Sequence, residues 1–194
     1  MEALRLLVAE DESSVRKALV HMSESLGHQV VAQASDGQEA VEMAEVASPD
    51  LILLDIRMPR MNGLDAAKAI LEHESVPVVI VTGYTDKQLM QEAAEIGAFS
   101  YLVKPITRER LAAAISTAQA RFADLRLLRD EVGDLKRSLE ARKLIERAKG
   151  IVMRDMDVGE QEAYRWLKRT SSQSNVKIAE IARRIVALDT TPRQ

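Results

Sequence analysis

Five side chains in this 194-residue chain stand where an apolar run gives out. Glu10 and Asp11 follow LRLLVA, Asp55 closes LILLD, Thr82 closes VPVVIVT, and Lys104 follows SYLV just ahead of Pro105. Three carboxylates, a hydroxyl and an ammonium make an acceptor set built from oxygen with one cation beside it. Clustered carboxylates repel one another unless a cation offsets them, and a set without His or Cys suits a hard ion such as Mg2+. A carboxylate polarised by such an ion can attack phosphorus and form an acyl phosphate. Asp55 is the candidate nucleophile, with Thr82 placed to hold the transferred oxygens by a hydrogen bond and Lys104 by charge. Any one of these residues alone is more often a helix cap, a solvated loop residue or a surface ion pair. It is the joint placement, in order and on successive runs, that points to a site.

The elements that would bring them together alternate in kind. LRLLVAED is an apolar run ending in acids, SSVRKALVHMSESLG has helical spacing and stops at Gly27, and QVVAQA is a short strand. The cycle repeats through GQEAVEMAEVA, PDLILLDI, NGLDAAKAILEH, VPVVIVTG, DKQLMQEAAEIGA and SYLVKP, and from Arg108 a helix runs on. The expected fold class is α/β: a doubly wound five-stranded parallel sheet with right-handed crossovers and helices on both faces. Ligands of such sheets collect at the carboxyl ends of the strands, where the five side chains would meet.

Composition narrows the class. An apolar content of 46% with 29% charged residues describes a soluble globular chain. With no cysteine and three scattered histidines, disulfides and thiolate metal sites are excluded and a zinc cluster is not expected. No apolar run approaches a membrane span, and Met1 opens into a charged segment without a signal-peptide pattern, so no membrane role and a cytoplasmic location are expected. The net charge of −3 hides an asymmetry: residues 1–121 carry 11 Lys and Arg against 18 Asp and Glu, residues 122–194 carry 16 against 12. The two parts are thus −7 and +4, two modules of opposite sign.

With Glu10 and Asp11, Asp55 followed by MPRMNG, TGY at 82–84 and YLVKP at 101–105, residues 3–121 resemble the receiver domain of two-component response regulators, a flavodoxin-like fold. That resemblance implies a phosphoacceptor at Asp55, phosphorylated by a sensor histidine kinase with Mg2+, in a regulator that is not an enzyme beyond assisting its own phosphotransfer and slow dephosphorylation. It implies that Asp11 and Asp55 ligate Mg2+ directly, Glu10 through a water, and Arg57 through its backbone carbonyl. It also makes Thr82 and Tyr101 a switch pair. Glu10 departs from the family, which more often has Asp there, and this bears on metal affinity rather than on the chemistry.

Past Pro105, Leu111, Ile115, Ala118, Phe122 and Leu125 are spaced by fours and threes. Leu128, Val132, Leu135 and Leu139 resume the spacing after an extra step of three, which reads as a coiled-coil seam. A helix from Arg108 to beyond Lys149 would extend roughly 60 Å, longer than the first module is wide, so a parallel homodimer is favoured over packing within the chain. Two further helices, about 159–172 and 175–188, with Asp157 as a candidate cap, would close a small three-helix bundle. Its expected core is Leu144, Ile151, Val152, Ala163, Trp166, Leu167, Ile178, Ile181, Ala182 and Ile185. Arg147, Lys149, Arg165, Lys168, Arg169, Lys177, Arg183 and Arg184 interleave as exposed positives, and Tyr164 and Trp166 offer stacking surface beside them, the combination that single-stranded RNA loops favour.

AKGIVM at 148–153, EAYRWLKR at 162–169 and KIAEIA at 177–182 resemble the ANTAR domain, an RNA-binding antitermination module. The resemblance implies paired modules that bind tandem RNA hairpins, so that transcription continues. TSSQSNVK at 170–177 is more polar than in many relatives and bears on how the last helix docks. The expected organisation is a receiver over 1–121, a coiled-coil linker helix over 122–140 and an ANTAR domain over 129–190. SNVKIAEIARRI also resembles the first helix of a DNA-binding helix-turn-helix, but DTTPRQ after Leu188 is too short and Pro-broken for a recognition helix. A DNA-binding regulator and a protein-interaction output module are the alternatives.

Overall fold

Five short apolar runs form strands, and the computed structural model describes residues 3–83, 92 and 96–189. Strands β1 (Arg5–Ala9), β2 (Gln29–Ala34), β3 (Leu51–Asp55), β4 (Val78–Thr82) and β5 (Ser100–Val103) make one parallel sheet in the order β2-β1-β3-β4-β5. β3 and β4 are buried at every residue, as unbroken Leu, Ile and Val runs require when both faces of a strand are covered.

The two-residue period of the strands sorts their side chains into two cores. Leu7, Ile52, Leu54, Val78 and Ile80 pack against Ala40 and Ala44 of α2 (Gly37–Ala47) and Leu64 and Ile70 of α3 (Gly63–His73). Leu6, Val8, Leu51, Leu53, Val79 and Val81 pack against Leu19 of α1 (Ser13–Ser25) and against Leu111, Ile115 and Ala118 of α4 (Arg108–Met156). Each fully buried Leu, Ile or Val contributes about 1.5–3 kcal/mol, so this two-sided burial pins the register of the sheet and with it the strand ends. The doubly wound five-stranded parallel sheet is as expected. The helix expected over DKQLMQEAAEIGA lies almost wholly outside the described residues.

The reading of α4 needs a correction. Leu111, Ile115 and Ala118 are fully buried in the core of the first unit and cannot belong to a seam with another chain. Arg108 donates to the hydroxyl and the carbonyl of Ser25 at 3.0 and 2.9 Å, and Arg121 donates to the Phe99 carbonyl at 3.1 Å. The Phe122 ring meets Phe99 edge to face, centroids 5.4 Å apart. Of the expected seam, the positions left uncovered are Leu128, Val132, Leu135 and Leu139, each 50–70% exposed, with Leu127 exposed beside them.

Contacts divide the chain into Met1–Arg126 and Leu127–Gln194. In the second unit, the last turns of α4 pack with α5 (Glu160–Ser174) and α6 (Ile178–Asp189) as a small three-helix bundle. Every expected core residue is in its apolar cluster, joined by Ala148 and Val186. Asp157 does not cap α5: it takes a left-handed conformation, φ 53°, just past the end of α4, and the N-cap position is Gly159. Asn175, also at φ 53°, ends α5, a conformation that Asn tolerates better than most residues. The polar turn beyond α5 is held from within, because the Ser171 hydroxyl donates to the Val176 carbonyl at 2.6 Å. Among the described residues no helix is long and apolar enough to cross a membrane.

Candidate functional site

Strand ends place the site. β1 delivers Glu10 and Asp11, β3 delivers Asp55, β4 delivers Thr82, and the chain leaving β5 delivers Lys104. One oxygen from each of Glu10, Asp11 and Asp55 lies within 4.8 Å of the others. Glu10, Asp55 and Thr82 are buried, while Asp11 is exposed at the mouth. The Lys104 ammonium lies 2.7 Å from Glu10 Oε2 and 3.2 Å from Asp55 Oδ1. Its backbone N–H donates to the Thr82 carbonyl at 2.8 Å, which ties the β5 end to the β4 end, and the Lys104–Pro105 peptide is cis. The longer arm of Glu10 thus reaches the lysine.

Burial pushes the Asp55 carboxyl above the ordinary carboxylate range; Lys104 pulls it back and the Asp11 charge pushes it up again. Burial likewise raises Glu10, with Lys104 opposing and the Asp55 charge adding to the rise. Burial opposes the charge on Lys104, but its contacts with Glu10 and Asp55 outweigh this, and the ammonium is held above its usual value. Three acids against one lysine leave an excess of negative charge among hard oxygen donors. The residues present therefore fit a hard divalent cation of the Mg2+ type.

The loop after β3 is shaped by a close approach. A Cβ on Gly63 would lie 1.9 Å from the Asp55 carbonyl oxygen, so only glycine lets α3 start directly beneath Asp55. Asn62 caps that helix by accepting from the Asp65 N–H at 2.9 Å, and the Arg57 N–H donates to Asp55 Oδ2 at 3.2 Å. Tyr101 stands on β5 opposite Ile80 with its side chain exposed. Sequence reasoning missed Arg16, whose guanidinium donates to the Glu10 carbonyl at 2.5 Å and fixes the acidic turn. It also missed the Asp36–Arg60 ion pair; the turn residues SDG ahead of α2 were the only hint of it.

The basic candidates of the second unit divide sharply. Lys149 is not an exposed positive: it is buried, with its ammonium 2.7 Å from both Glu146 and Glu160. Arg183 and Arg184 both pair with Glu180. Arg147, Arg165, Lys168, Arg169 and Lys177 are exposed, with no carboxylate within ion-pair distance among the described residues. On α5 the helical period sets Gln161, Tyr164, Arg165, Lys168, Arg169 and Ser172 on one side, opposite the buried Ala163 and Leu167. Glu162, also exposed, borders that side one turn from Arg165, but it forms no ion pair with Arg165, Lys168 or Arg169. Trp166 packs against the bundle core, so Tyr164, 46% exposed, is the aromatic left facing solvent.

Comparison with known proteins matches both parts. Residues 6–116 match the response regulator receiver domain family, and residues 133–186 match the ANTAR domain family. The transcriptional regulatory protein PdtaR of Mycobacterium tuberculosis is 38% identical over 189 residues, covering 97% of this chain and 92% of that protein. Among solved structures, the response regulator domain of Thermotoga maritima CheB is similar with a TM-score of 0.57 and 30% identity, covering 63% of this chain and 98% of that one. The receiver domain of a modulated diguanylate cyclase from Desulfovibrio desulfuricans gives a TM-score of 0.59 and 28% identity, covering 63% and 98%. The chain belongs to the response regulator receiver family and carries an ANTAR domain as its second module: it is a two-component response regulator.

Proposed function

We propose that this response regulator is switched by phosphorylation of Asp55 and acts on gene expression by binding RNA. The observation that carries the first half is the convergence of Asp55, Glu10, Asp11, Thr82 and Lys104 at one end of the sheet. A phosphohistidine of a sensor kinase would supply the group: the N–P bond breaks with its electron pair returning to the imidazole, and an Asp55 carboxylate oxygen bonds to phosphorus. Glu10, Asp11, Asp55 and the Arg57 carbonyl would hold Mg2+, which when bound offsets negative charge on the phosphoryl oxygens. Lys104 is placed to turn from Glu10 and Asp55 to the new oxygens, and Thr82 to hydrogen-bond to them. Tyr101, exposed on β5, is the partner that would turn inward as Thr82 moves.

The second half rests on α5. Exposed cations without acidic partners, beside an exposed Tyr164, suit a phosphate backbone and an unstacked base together. Arg165, Lys168 and Arg169 are the primary contacts, with Arg147 and Lys177 flanking. Paired modules would be held together by the uncovered stripe of Leu128, Val132, Leu135 and Leu139, giving a homodimer that grips two hairpins and acts by antitermination. Removal of apolar area from water is the driving force for that association. In this reading the protein is a regulator rather than a catalyst.

The test is to treat the protein with acetyl phosphate and Mg2+ and measure binding to a two-hairpin RNA and to duplex DNA of matched length. RNA binding that strengthens on phosphorylation and falls steeply with salt is the expected result. Preference for the duplex would make it a DNA-binding regulator. Binding to neither, with phosphorylation intact, would make α5 a protein-docking surface.

A further inference from the structure

The turn between β2 and α2 contributes nothing to the acidic site directly, yet it is fastened to the loop that does. Asp36 is almost fully buried, and its two oxygens have separate duties. Oδ1 accepts from the Glu39 N–H at 3.0 Å and caps α2, while Oδ2 pairs with the Arg60 guanidinium. The next residue closes a second contact: the Gly37 N–H donates to the Met61 carbonyl at 3.1 Å, and a Cβ on Gly37 would lie 2.4 Å from that oxygen. Glu39 reaches back to the Ser35 N–H and hydroxyl at 2.7 and 2.8 Å, so the turn is itself braced. Arg60 takes φ 62°, a left-handed conformation costly for a residue with a side chain and sustained here by what holds it in place.

The loop so gripped runs from Ile56 to Asn62. It begins at the nucleophile, carries the Arg57 N–H that donates to Asp55, and returns to the strand end where the Gly63 N–H donates to the Ile56 carbonyl at 2.9 Å. Its near end is set by Asp55 and Gly63 and its far end by Asp36 and Gly37. We infer that Asp36 and Arg60 are positioning residues for phosphotransfer, a clasp between two loops that holds the Arg57 backbone in register with Asp55 and Asp11. This rests on the reading of Asp55 as phosphoacceptor and of the acids as the Mg2+ ligands. Changing a group that orients metal ligands from behind typically costs about 10–100-fold in metal affinity.

Two substitutions separate positioning from bulk stability. Asp36→Asn keeps an oxygen that can accept from the Glu39 N–H and cap α2, while the charge facing Arg60 is lost. Arg60→Gly removes the ion pair but relieves the left-handed backbone, so the fold is not weakened by strain. Both are made in the full chain, and Mg2+ binding is measured calorimetrically without any phosphodonor, alongside the initial rate of acetyl phosphate labelling at saturating Mg2+. The expected result is a loss of Mg2+ affinity of roughly tenfold in each variant with the labelling rate reduced, and recovery in Arg60→Lys, which restores a charge for Asp36. Wild-type Mg2+ affinity and labelling in Arg60→Gly would overturn the clasp, whatever happens to the melting temperature. Labelling that persists in Asp55→Asn would instead overturn the phosphoacceptor reading, a separate outcome.

Discussion

In the first unit Lys104 sits within 3.2 Å of two carboxylates, whereas in the second Arg165, Lys168 and Arg169 stand on α5 with no carboxylate at ion-pair distance among the described residues. The first arrangement is largely buried and internally paired, with acids in excess of its one lysine, and its groups are fixed by strand ends whose side chains cannot slip. The second is exposed and uncompensated. A small anion arriving at one point is met by charges that already have partners and need only exchange them. A polyanion is met by charges kept apart from acids, because every internal ion pair would have to be broken before a phosphate could be bound. Lys149 makes the contrast within a single module. It lies in the same basic stretch as Arg147, but Glu146 and Glu160 have turned it into a strut between α4 and α5.

The largest effect that could break this comparison is at Asp55. Asp55→Asn should abolish acetyl phosphate labelling, read by intact mass, and surviving modification would move the acceptor elsewhere. Lys104→Ala should still be labelled but fail to gain RNA affinity on phosphorylation; a normal gain would mean that the lysine carries no signal. Next in size, replacing Leu128 and Leu135 with Glu should give a monomer in sedimentation and cost roughly 10²-fold in affinity for a two-hairpin RNA, while affinity for a single hairpin is kept. Tight two-hairpin binding by such a monomer would leave the leucine stripe unexplained.

A smaller change sharpens the division among cations. Arg165→Ala and Lys168→Ala should each weaken RNA binding roughly tenfold and lower the slope of log affinity against log salt by about 1. Lys149→Ala should lower the melting temperature and leave that slope alone. The smallest effect is a pH dependence at His28, which is buried with its Nδ1 accepting from the Leu4 N–H at 3.3 Å. Burial holds its pKa below the ordinary 6.5. A depressed folded value means that the unfolded chain binds the proton more readily. The His28 contribution to stability is thus present above pH 6.5 and is lost as the pH falls through the folded value. Denaturant titrations of His28→Gln against wild type between pH 7.5 and 5, spanning roughly the unperturbed histidine range, should converge toward acid; a constant difference would contradict this.

Where the sequence was legible, a short period and a turn residue spoke together. LILLDIRMPRMNG shows a two-sided buried strand, its terminal acid and the Asn-Gly start of the next helix in thirteen letters, and the structure places each accordingly. What escaped was pairing across distance. Asp36 and Arg60 are 24 positions apart, and nothing local marks Arg60 as the partner of a buried acid. Lys149 meets Glu160 only because Asp157, in the left-handed region, ends α4 and lets the chain turn back into α5. The heptad spacing of Leu111, Ile115 and Ala118 is real, but spacing reports that a helix face is apolar and never what covers it. The sheet of the same chain covers that face.

Gly133 lies in the middle of α4, and every other residue from 127 to 140 is exposed. A glycine inside a helix costs about 1 kcal/mol relative to alanine, and fourteen residues are close to the length below which an isolated helix is marginal in water. Local ion pairs such as Asp134–Arg137, worth roughly 0.2–0.5 kcal/mol, do not close that gap. Taken alone, this stretch is a helix with no core of its own, continued at both ends into turns that are packed in one. Its amide protons should exchange with solvent well before those of Leu111–Ala118 or Ala148–Val152, and a protease should find Arg129, Lys136 and Arg137 first. In the homodimer reading, protection there is a measure of how much of the protein is paired, legible without any RNA present.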